Sequence, residues 1–324
     1  MNSLNSMNSI LFSKKPISSL FPTTQSTIPN FGNYVCVDLD GSNMVMCSQG
    51  GSPAGDPYTF LYWSDNFGET LTKATIDGVI NQKFFGCVAI SGANAIAMGR
   101  KTSGGTNNFY LSSDYGKTYS IASGAGTGSG INSLITMSGA NAAYTAYQQE
   151  VYVSTNYGAT WTSRGYALNN TDLKMYGNYL YLCALSPSGG LFYSTNLGVT
   201  FTKSSTNVFT NCITQIGTTL YVGGTNVIYK STNNGVSLTA IFTSTSIGFT
   251  EAIASCSGTS NDFIIVSNDG SGIAGGKFNY SNDGGSTFQQ VTFDLRAWTL
   301  HATPTRIVAG NFSNLYWGVN RYII

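Results

Sequence analysis

The hydrophobic residues of this chain fall in short runs that polar turn residues interrupt at regular intervals. Examples are the runs at 87–90, 95–98 and 109–111, which are bounded by Gly, Ser, Asn and Asp. Such runs are typical of β-strands, whereas a helix would show a period of about 3.6 residues over roughly ten or more positions. The sequence contains no long helical period. The pattern therefore predicts an all-β fold.

A phrase of eight residues recurs between these runs and reads Ser-x-Asp/Asn-x-Gly-x-Thr/Ser, followed by an aromatic residue or Leu. Its six copies span 64–71 (the loosest), 112–119, 154–161, 194–201, 231–238 and 281–288. The Ser hydroxyl and the Asp or Asn side chain can hydrogen-bond to nearby backbone groups, and Gly allows the positive φ of a tight reversal. Because a hydrophobic run precedes each copy, each one predicts the tip of a β-hairpin.

The third position of the phrase carries the turn-forming side chain, which is Asn66, Asp114, Asn156, Asn196, Asn233 or Asp283. The phrase resembles the Asp-box, or BNR repeat, which recurs in sialidases, some other glycosidases, sortilin-type receptors and a photosystem assembly factor. The resemblance covers about residues 33 to 320. It implies a β-propeller whose Asp-box turns join the third and fourth strands of each blade, away from the ligand face. It implies no single function, because the family holds both enzymes and binding proteins.

A second repeated turn sets the number of blades. Ser-Gly-Ala-Asn-Ala occurs at 91–95 and again at 138–142, and weaker versions occur at 41–43, 177–178, 217–218, 258–259 and 303–305. The Asp-box glycines are Gly68, Gly116, Gly158, Gly198, Gly235 and Gly285, with successive differences of 48, 42, 40, 37 and 50. Periods of about 40 to 50 residues are typical of four-stranded propeller blades. Seven first turns therefore predict a seven-bladed β-propeller that forms one domain over residues 1–324.

The N-terminal segment is predicted to close the ring. The seventh repeat ends after the apolar run at 315–318 and lacks a fourth strand, whereas 18–21 resembles the strand that follows an Asp-box. Ser19 also precedes Cys36 by the same number of positions as Thr70 precedes Cys87. Residues 1–32 would then supply the outer strand of the last blade, and 33–324 the seven repeats. Closure removes edge strands, which otherwise promote aggregation.

Charge and cysteine content limit the partners and the compartment. Lys plus Arg is 15 and Asp plus Glu is 14, so the net charge of +1 argues against duplex nucleic acid and anionic membranes as partners. No run reaches transmembrane length, and the N-terminus lacks the pattern of a signal peptide. The six cysteines lie in apolar runs and predict buried free thiols, although Cys36 and Cys47 could face each other across the first hairpin. Folding in a reducing compartment is expected, and the final localisation, which could include a virion or other particle, stays open.

Residues for catalysis or metal binding form no recognisable set. Four of the six Asp-box turns carry Asn instead of an acid, which disfavours calcium. The chain lacks the Arg-Ile-Pro segment of sialidases, and Arg306 falls in the last blade. The lone His301 has no recognisable triad partners and is expected to be structural. No spacing pairs two acids as glycosidases require. We therefore expect no metal, no cofactor and no known catalytic set.

Loop length offers the best indication of a binding site. The difference in residue number between the first-turn Gly and the Asp-box Gly of a blade measures the length of the loop between its second and third strands. This difference is 27, 24, 19, 21, 18 and 27 for blades one to six. Blades six, seven, one and two are consecutive in a closed ring, so one sector of the face opposite the turns carries the longest loops. Loops on a rigid scaffold are where binding usually occurs. The candidate contact residues in this sector are Asp56, Tyr58, Arg100, Lys101 and Asp269.

Two functions remain open from the sequence. The first is a non-catalytic binding or scaffold propeller that presents loops to a protein or glycan, for example within a virion or at a cell surface. The second is a glycoside hydrolase or lyase with an unrecognised carboxylate pair. Two loop carboxylates in one deep axial pocket would favour the enzyme.

Overall fold

The structure is a computed structural model of the chain. It describes residues 24–25, 34–49, 60–77, 84–100, 107–122, 134–145, 150–167, 170–184, 189–243, 250–258, 261–268, 277–292, 297–310 and 315–319. Within these ranges the chain forms 29 strands and no helix. None of the described residues accordingly belongs to a helix that could span a membrane. The expectation of an all-β fold is confirmed.

The strands follow one another with short connections. The first fourteen are β1 (Thr24–Gln25), β2 (Tyr34–Asp40), β3 (Asn43–Gln49), β4 (Leu61–Ser64), β5 (Thr72–Lys73), β6 (Thr75–Ile76), β7 (Phe84–Ser91), β8 (Asn94–Arg100), β9 (Asn107–Ser112), β10 (Thr118–Ile121), β11 (Leu134–Ser138), β12 (Asn141–Thr145), β13 (Glu150–Ser154) and β14 (Thr162–Ala167). The next eight are β15 (Asn170–Tyr176), β16 (Tyr179–Ala184), β17 (Gly190–Ser194), β18 (Thr202–Lys203), β19 (Cys212–Ile216), β20 (Thr219–Gly223), β21 (Val227–Ser231) and β22 (Thr239–Thr243). The last seven are β23 (Thr250–Ser257), β24 (Asp262–Asn268), β25 (Lys277–Ser281), β26 (Gln289–Thr292), β27 (Thr299–Ala302), β28 (Arg306–Gly310) and β29 (Leu315–Val319).

These strands form seven sheets, one for each sequence repeat. Blades one to six are β2–β5, β7–β10, β11–β14, β15–β18, β19–β22 and β23–β26, and each runs antiparallel in chain order. Blade two gains β6 as a fifth strand, which pairs in parallel with β10. The predicted seven-bladed propeller is confirmed.

The N-terminal segment closes the ring, as the sequence predicts. In blade seven, β27, β28 and β29 take β1 as their fourth strand, so that the chain's two ends share one sheet. The antiparallel register places Thr24 opposite Trp317 and Gln25 opposite Tyr316. The strand in the structure is therefore at 24–25, whereas the predicted segment at 18–21 lies outside the described residues.

The hydrophobic core is divided among the blade interfaces. The described residues form seven apolar clusters, and each cluster draws on two adjacent blades. The cluster between blades seven and one contains Val308 and Leu315 from the former and Met44 and Met46 from the latter. Alternating side chains of each strand point to opposite sheet faces, so one blade contributes to the clusters on both of its sides.

The six repeated turns share one network of hydrogen bonds. In the copy at 112–119, Ser112 Oγ donates to Asp114 Oδ1 (2.7 Å) and accepts from the Gly116 N–H (2.9 Å). Asp114 Oδ1 also accepts from the Thr118 N–H (2.9 Å). The equivalent three bonds occur in the other five copies at 2.7–3.1 Å. Asn at the third position of the phrase therefore makes the same bonds as Asp, to the Ser at the first position and to the Thr or Ser at the seventh.

Both kinds of turn lie on the same side of the ring. The N–H of Tyr115 in the repeated turn donates to Ala93 O in the first turn of the same blade (2.8 Å). Equivalent bonds join Phe67 to Ser42, Tyr157 to Ala140 and Leu197 to Asn178 at 2.9–3.2 Å. We call this side the turn face. Successive strands are antiparallel, so the connections between second and third strands lie on the opposite side, which we call the loop face.

Candidate functional site

Most of the loop residues that the sequence singled out lie outside the described part of the chain. Asp56, Tyr58, Lys101 and Asp269 all fall in this category. Arg100 is described as the last residue of β8, where it pairs with Asn107 of β9 at the loop face. The grouping of these five residues into one site therefore stays a prediction.

The strand boundaries delimit the connections on the loop face directly. In blade one, β3 ends at residue 49 and β4 begins at residue 61, so the connection spans 50–60. The corresponding connections span 101–106 in blade two and 269–276 in blade six. Those of blades three, four, five and seven are all shorter and span 146–149, 185–189, 224–226 and 311–314. The three longer connections thus belong to blades six, one and two, and the short connection of blade seven lies between those of blades six and one.

A cavity of about 610 Å³ runs along the centre of the ring, and the sequence did not predict it as a site. The innermost strands of all seven blades line it, namely β2, β7, β11, β15, β19, β23 and β27. These strands also contact one another around the ring, from β2 through β7 to β27 and back to β2. We call this cavity the central channel.

Polar side chains in the channel hydrogen-bond to the open edges of neighbouring blades. Each innermost strand is a sheet edge, so part of its backbone N–H groups lacks a partner within its own sheet. Three of these groups donate to a side chain of the preceding blade: Ile90 N to Asp38 Oδ2 (2.9 Å), Met175 N to Thr136 Oγ1 (3.0 Å) and Ile213 N to Asp172 Oδ2 (2.9 Å). These polar side chains of the channel therefore help to hold adjacent blades together.

One level of the channel brings together side chains from six blades. Its members stand three residues before the first-turn glycine of their repeats, or before Pro304 in the last repeat: Asp38, Thr136, Lys174, Thr214, Ser255 and His301. Asp38 belongs to blade one and Lys174 to blade four, and both line the channel. Nζ of Lys174 forms no ion pair within 4 Å and no hydrogen bond with any residue of the described chain. We call this set the middle ring.

Lys174 remains charged in the channel. Burial alone would lower the pKa of its ammonium group, but the carboxylates of Asp172 and Asp38 more than offset that effect and raise the pKa. Burial raises the pKa of Asp172, while Lys174 and the N–H groups of Ile213 and Leu173 act in the opposite direction. The phenol of Tyr176 has its pKa raised to about 12, chiefly by burial, and stays neutral. The channel therefore holds separated charges of both signs.

His301 connects blade seven to blade one. Its Nε2 lies 2.8 Å from Val37 O, and because a carbonyl can only accept, Nε2 carries the hydrogen. Burial lowers the pKa of the imidazole, with Asp38 opposing this effect, so the ring is neutral at pH 7. The expected structural bond is present. In addition, Nδ1 of the neutral ring is a hydrogen-bond acceptor at the wall of the channel.

The six cysteines are all free thiols. Five are buried, and Cys36, which lines the channel, is partly exposed. Cys36 and Cys47 stand directly opposite in the pairing of β2 with β3. A side-chain hydrogen bond between the two thiols lowers the pKa of Cys36 and raises that of Cys47. The hairpin arrangement anticipated for these residues is thus present, with both in the thiol form.

Comparison with known proteins supports the fold and leaves the function open. No protein-family model and no curated protein sequence matches this chain. Among solved structures, YCF48 from Cyanidioschyzon merolae matches with a TM-score of 0.64 and 13% identity, over 93% of this chain and 99% of that one. YCF48 bound to D1 peptide matches with a TM-score of 0.66 and 15% identity, over 91% and 95%.

A GH74 enzyme from Niastella koreensis also matches, with a TM-score of 0.53 and 16% identity. The match covers 86% of this chain but only 59% of the GH74 chain, so this chain spans less than two thirds of that enzyme. At such low identity, these likenesses show a shared β-propeller fold and carry no assignment of activity.

Sequence reasoning missed the middle ring because it compared the turns and not the strands before them. A signal existed: counting three residues back from the first-turn glycine, or from Pro304 in the last repeat, gives Asp38, Lys174 and His301 at the same level of three repeats. Only the closed ring shows that these side chains meet, because they belong to blades one, four and seven and lie far apart in the chain.

Proposed function

We propose that this protein is a non-catalytic binding or scaffold propeller that presents its loop face to a protein or glycan partner. The observation that supports this proposal is the uneven length of the loop-face connections. Those of blades six, one and two, at 269–276, 50–60 and 101–106, are each longer than any of the other four. Ordering extra loop residues costs conformational entropy, and the compact blades show that the fold does not require them.

The stems of two of these loops are paired strands, which suits a binding role. Arg100 pairs with Asn107 at the stem in blade two, and Asn268 pairs with Lys277 at the stem in blade six. Asn268 is fully buried, so its stem is packed into the ring. Such pairing fixes the points at which the loops leave the ring, and we infer that Asp56, Tyr58, Arg100, Lys101 and Asp269 form the contact set.

Two structural assignments belong to the same proposal. The six repeated turns are Asp-boxes in the sense of the BNR family, and the whole chain forms one domain. The shared hydrogen-bond network of the turns supports the first assignment. The apolar cluster at every blade interface supports the second, because each blade depends on both neighbours for its core.

A protein partner has support from one of the similar propellers, YCF48, which has been solved bound to a D1 peptide. The low charge of this chain, with 9% charged residues, favours recognition through amide, hydroxyl and aromatic groups, which also suits a glycan. The net charge of +1 gives no support to nucleic acid as the partner.

The alternative function is a glycoside hydrolase or lyase. The channel contains the carboxylates of Asp38 and Asp172, which is the kind of axial pocket that such an enzyme would need. However, Asp38 accepts the Ile90 N–H, and both oxygens of Asp172 accept backbone N–H groups. Carboxylates held in this way serve as links between blades, which favours the binding function over the enzyme.

The test is to shorten the loops at 50–56 and 269–276 and measure partner capture and glycan-array binding. We expect both variants to fold with native melting behaviour and to lose binding. A control variant carries Val199→Ser and Val236→Ser, which change two exposed side chains (57% and 44%) in the repeated turns and should leave binding intact. If the shortened protein binds its partner with unchanged affinity, the contact surface lies elsewhere, and the proposal is wrong.

A further inference from the structure

The middle ring contains two groups of opposite charge. Asp38 and Lys174 both line the central channel, and the carboxylate of Asp38 helps to raise the pKa of Lys174. Yet no ion pair within 4 Å joins Lys174 to Asp38 or to Asp172. An ammonium group and a carboxylate that line one cavity without forming an ion pair with each other are both available to a ligand.

The wall around Asp38 accepts hydrogen bonds. Asp38 uses Oδ2 for the Ile90 N–H, and Oδ1 takes no hydrogen bond from the described residues. His301 in the adjacent blade seven uses Nε2 for Val37 O, which leaves Nδ1 as an acceptor. A carboxylate oxygen and a neutral imidazole nitrogen at one level are suited to an ammonium group, which has three hydrogens to donate.

The opposite wall donates hydrogen bonds. Lys174 supplies an ammonium group, and Thr136 and Thr214 stand at the same level in the blades on either side. Thr136 Oγ1 accepts the Met175 N–H, so its hydroxyl hydrogen remains available for another acceptor. A cationic ammonium group beside a hydroxyl donor is suited to a carboxylate.

Four carboxylates, from Asp38, Asp40, Asp172 and Glu251, and one ammonium group, from Lys174, line the channel. An anion attracted to Lys174 would be repelled by these carboxylates, and a simple cation would provide no opposite charge for Lys174. A molecule with both charges can contact both groups of the middle ring when its carboxylate faces Lys174 and its ammonium faces Asp38. The cavity of about 610 Å³ falls within the range of small-molecule sites.

We propose that the central channel binds a small zwitterion with a carboxylate and a primary ammonium group, the chemistry of a free amino acid. Lys174 with the Thr136 hydroxyl would hold the carboxylate, and Asp38 with His301 Nδ1 would hold the ammonium. None of the residues that would hold this ligand belongs to the loop contact set, so the proposal stands or falls independently of the proposed partner binding.

The test is calorimetry and thermal-shift measurement on the full chain. The probes are the twenty free L-α-amino acids together with ω-amino acids from β-alanine to 6-aminohexanoate, which vary the distance between the charges. Each compound that binds is compared with its amide, which lacks the carboxylate, and with its N-acetyl form, which lacks the ammonium. We expect at least one zwitterion to bind, and both derivatives to bind about tenfold more weakly or worse.

Two substitutions locate the binding in the channel. Lys174→Gln removes the ammonium from a side chain that forms no hydrogen bond or ion pair with the described residues, and Asp38→Asn removes the charge but keeps an acceptor for Ile90. Each should weaken zwitterion binding about tenfold or more. Asp114→Asn is the matched control, because Asp114 also accepts a backbone N–H, that of Thr118, but lies in a repeated turn and does not line the channel. It should leave binding unchanged.

Several results would overturn the proposal. One is that none of the zwitterions binds the folded protein at millimolar concentration. Another is that a bound zwitterion and its amide or N-acetyl form have equal affinities, a comparison that needs only the unaltered chain and therefore holds even if a variant fails to fold. A third is that Lys174→Gln and Asp38→Asn bind as well as the unaltered protein, or that Asp114→Asn weakens binding to the same extent as they do.

Discussion

Replacing Gly116 by Ala tests whether the repeated turns help to pack the blades together. Gly116 ends the tight part of the turn in blade two with φ at 81°, a conformation that L side chains rarely adopt. A Cβ atom built at this position would lie 2.5 Å from Val45 Cγ1 in blade one and 3.0 Å from the Tyr119 hydroxyl. Val45 is fully buried and has a β-branched side chain, so it cannot easily move aside.

The matched control is Gly92→Ala in the first turn of the same blade. Gly92 also has a positive φ, at 58°, but a Cβ atom there would have no neighbour within 4 Å. Both substitutions carry the conformational cost of a left-handed residue, about 1–2 kcal/mol. Only Gly116→Ala adds overpacking at a blade interface, which costs about 1–3 kcal/mol. We therefore expect Gly116→Ala to lower the free energy of unfolding by about 2–5 kcal/mol, and Gly92→Ala by about 1–2 kcal/mol.

Urea unfolding of the two variants, monitored by tryptophan fluorescence and circular dichroism, measures the difference. The two probes should give coincident transitions, and the slope of free energy against denaturant should be the same for both variants, so that the midpoints report stability. Equal loss of stability in the two variants would refute the reasoning, because it would mean that the interface accepts the methyl group and that only the turn conformation matters.

Three further predictions concern acid, the N-terminus and the thiols. Despite partial burial, hydrogen bonds chiefly from Thr287 lower the pKa of Asp283 to about 2, so its contribution to stability is present above about pH 4 and is lost as pH falls towards 2. Asp283→Asn should therefore reduce the loss of stability in acid melts, and an unchanged pH profile would contradict this. Deleting residues 1–26 should lower the melting temperature, while deleting 1–20, which leaves β1 in place, should not; equal melting temperatures would contradict closure by β1. Thiol titration should show the five buried cysteines reacting slowly until denaturant is added, and their rapid reaction in the native state would count against their burial.

The sequence by itself determined the architecture, because the features that encode it are local. A turn needs only a glycine with positive φ and an Asp or Asn that bonds to groups within four residues, so each copy of the phrase is readable alone. Counting the first turns predicted the number of blades, and the short apolar runs predicted the strands. The repeated spacing then left one solution, a ring whose last sheet takes a strand from the N-terminus.

The tertiary structure decided what depends on distant contacts. The closing strand at 24–25 is set by pairing with β29, and two residues carry too little pattern to be located in advance. Nothing in the sequence marks the acids Asp38 and Asp172 as links between blades, yet each accepts a backbone N–H from the edge strand of the next blade. The middle ring likewise exists only because closure brings Asp38, Lys174 and His301 to one level. The alternation of residues along a strand determines the sheet face on which each side chain lies. Only closure of the ring determines which strands meet around the central channel.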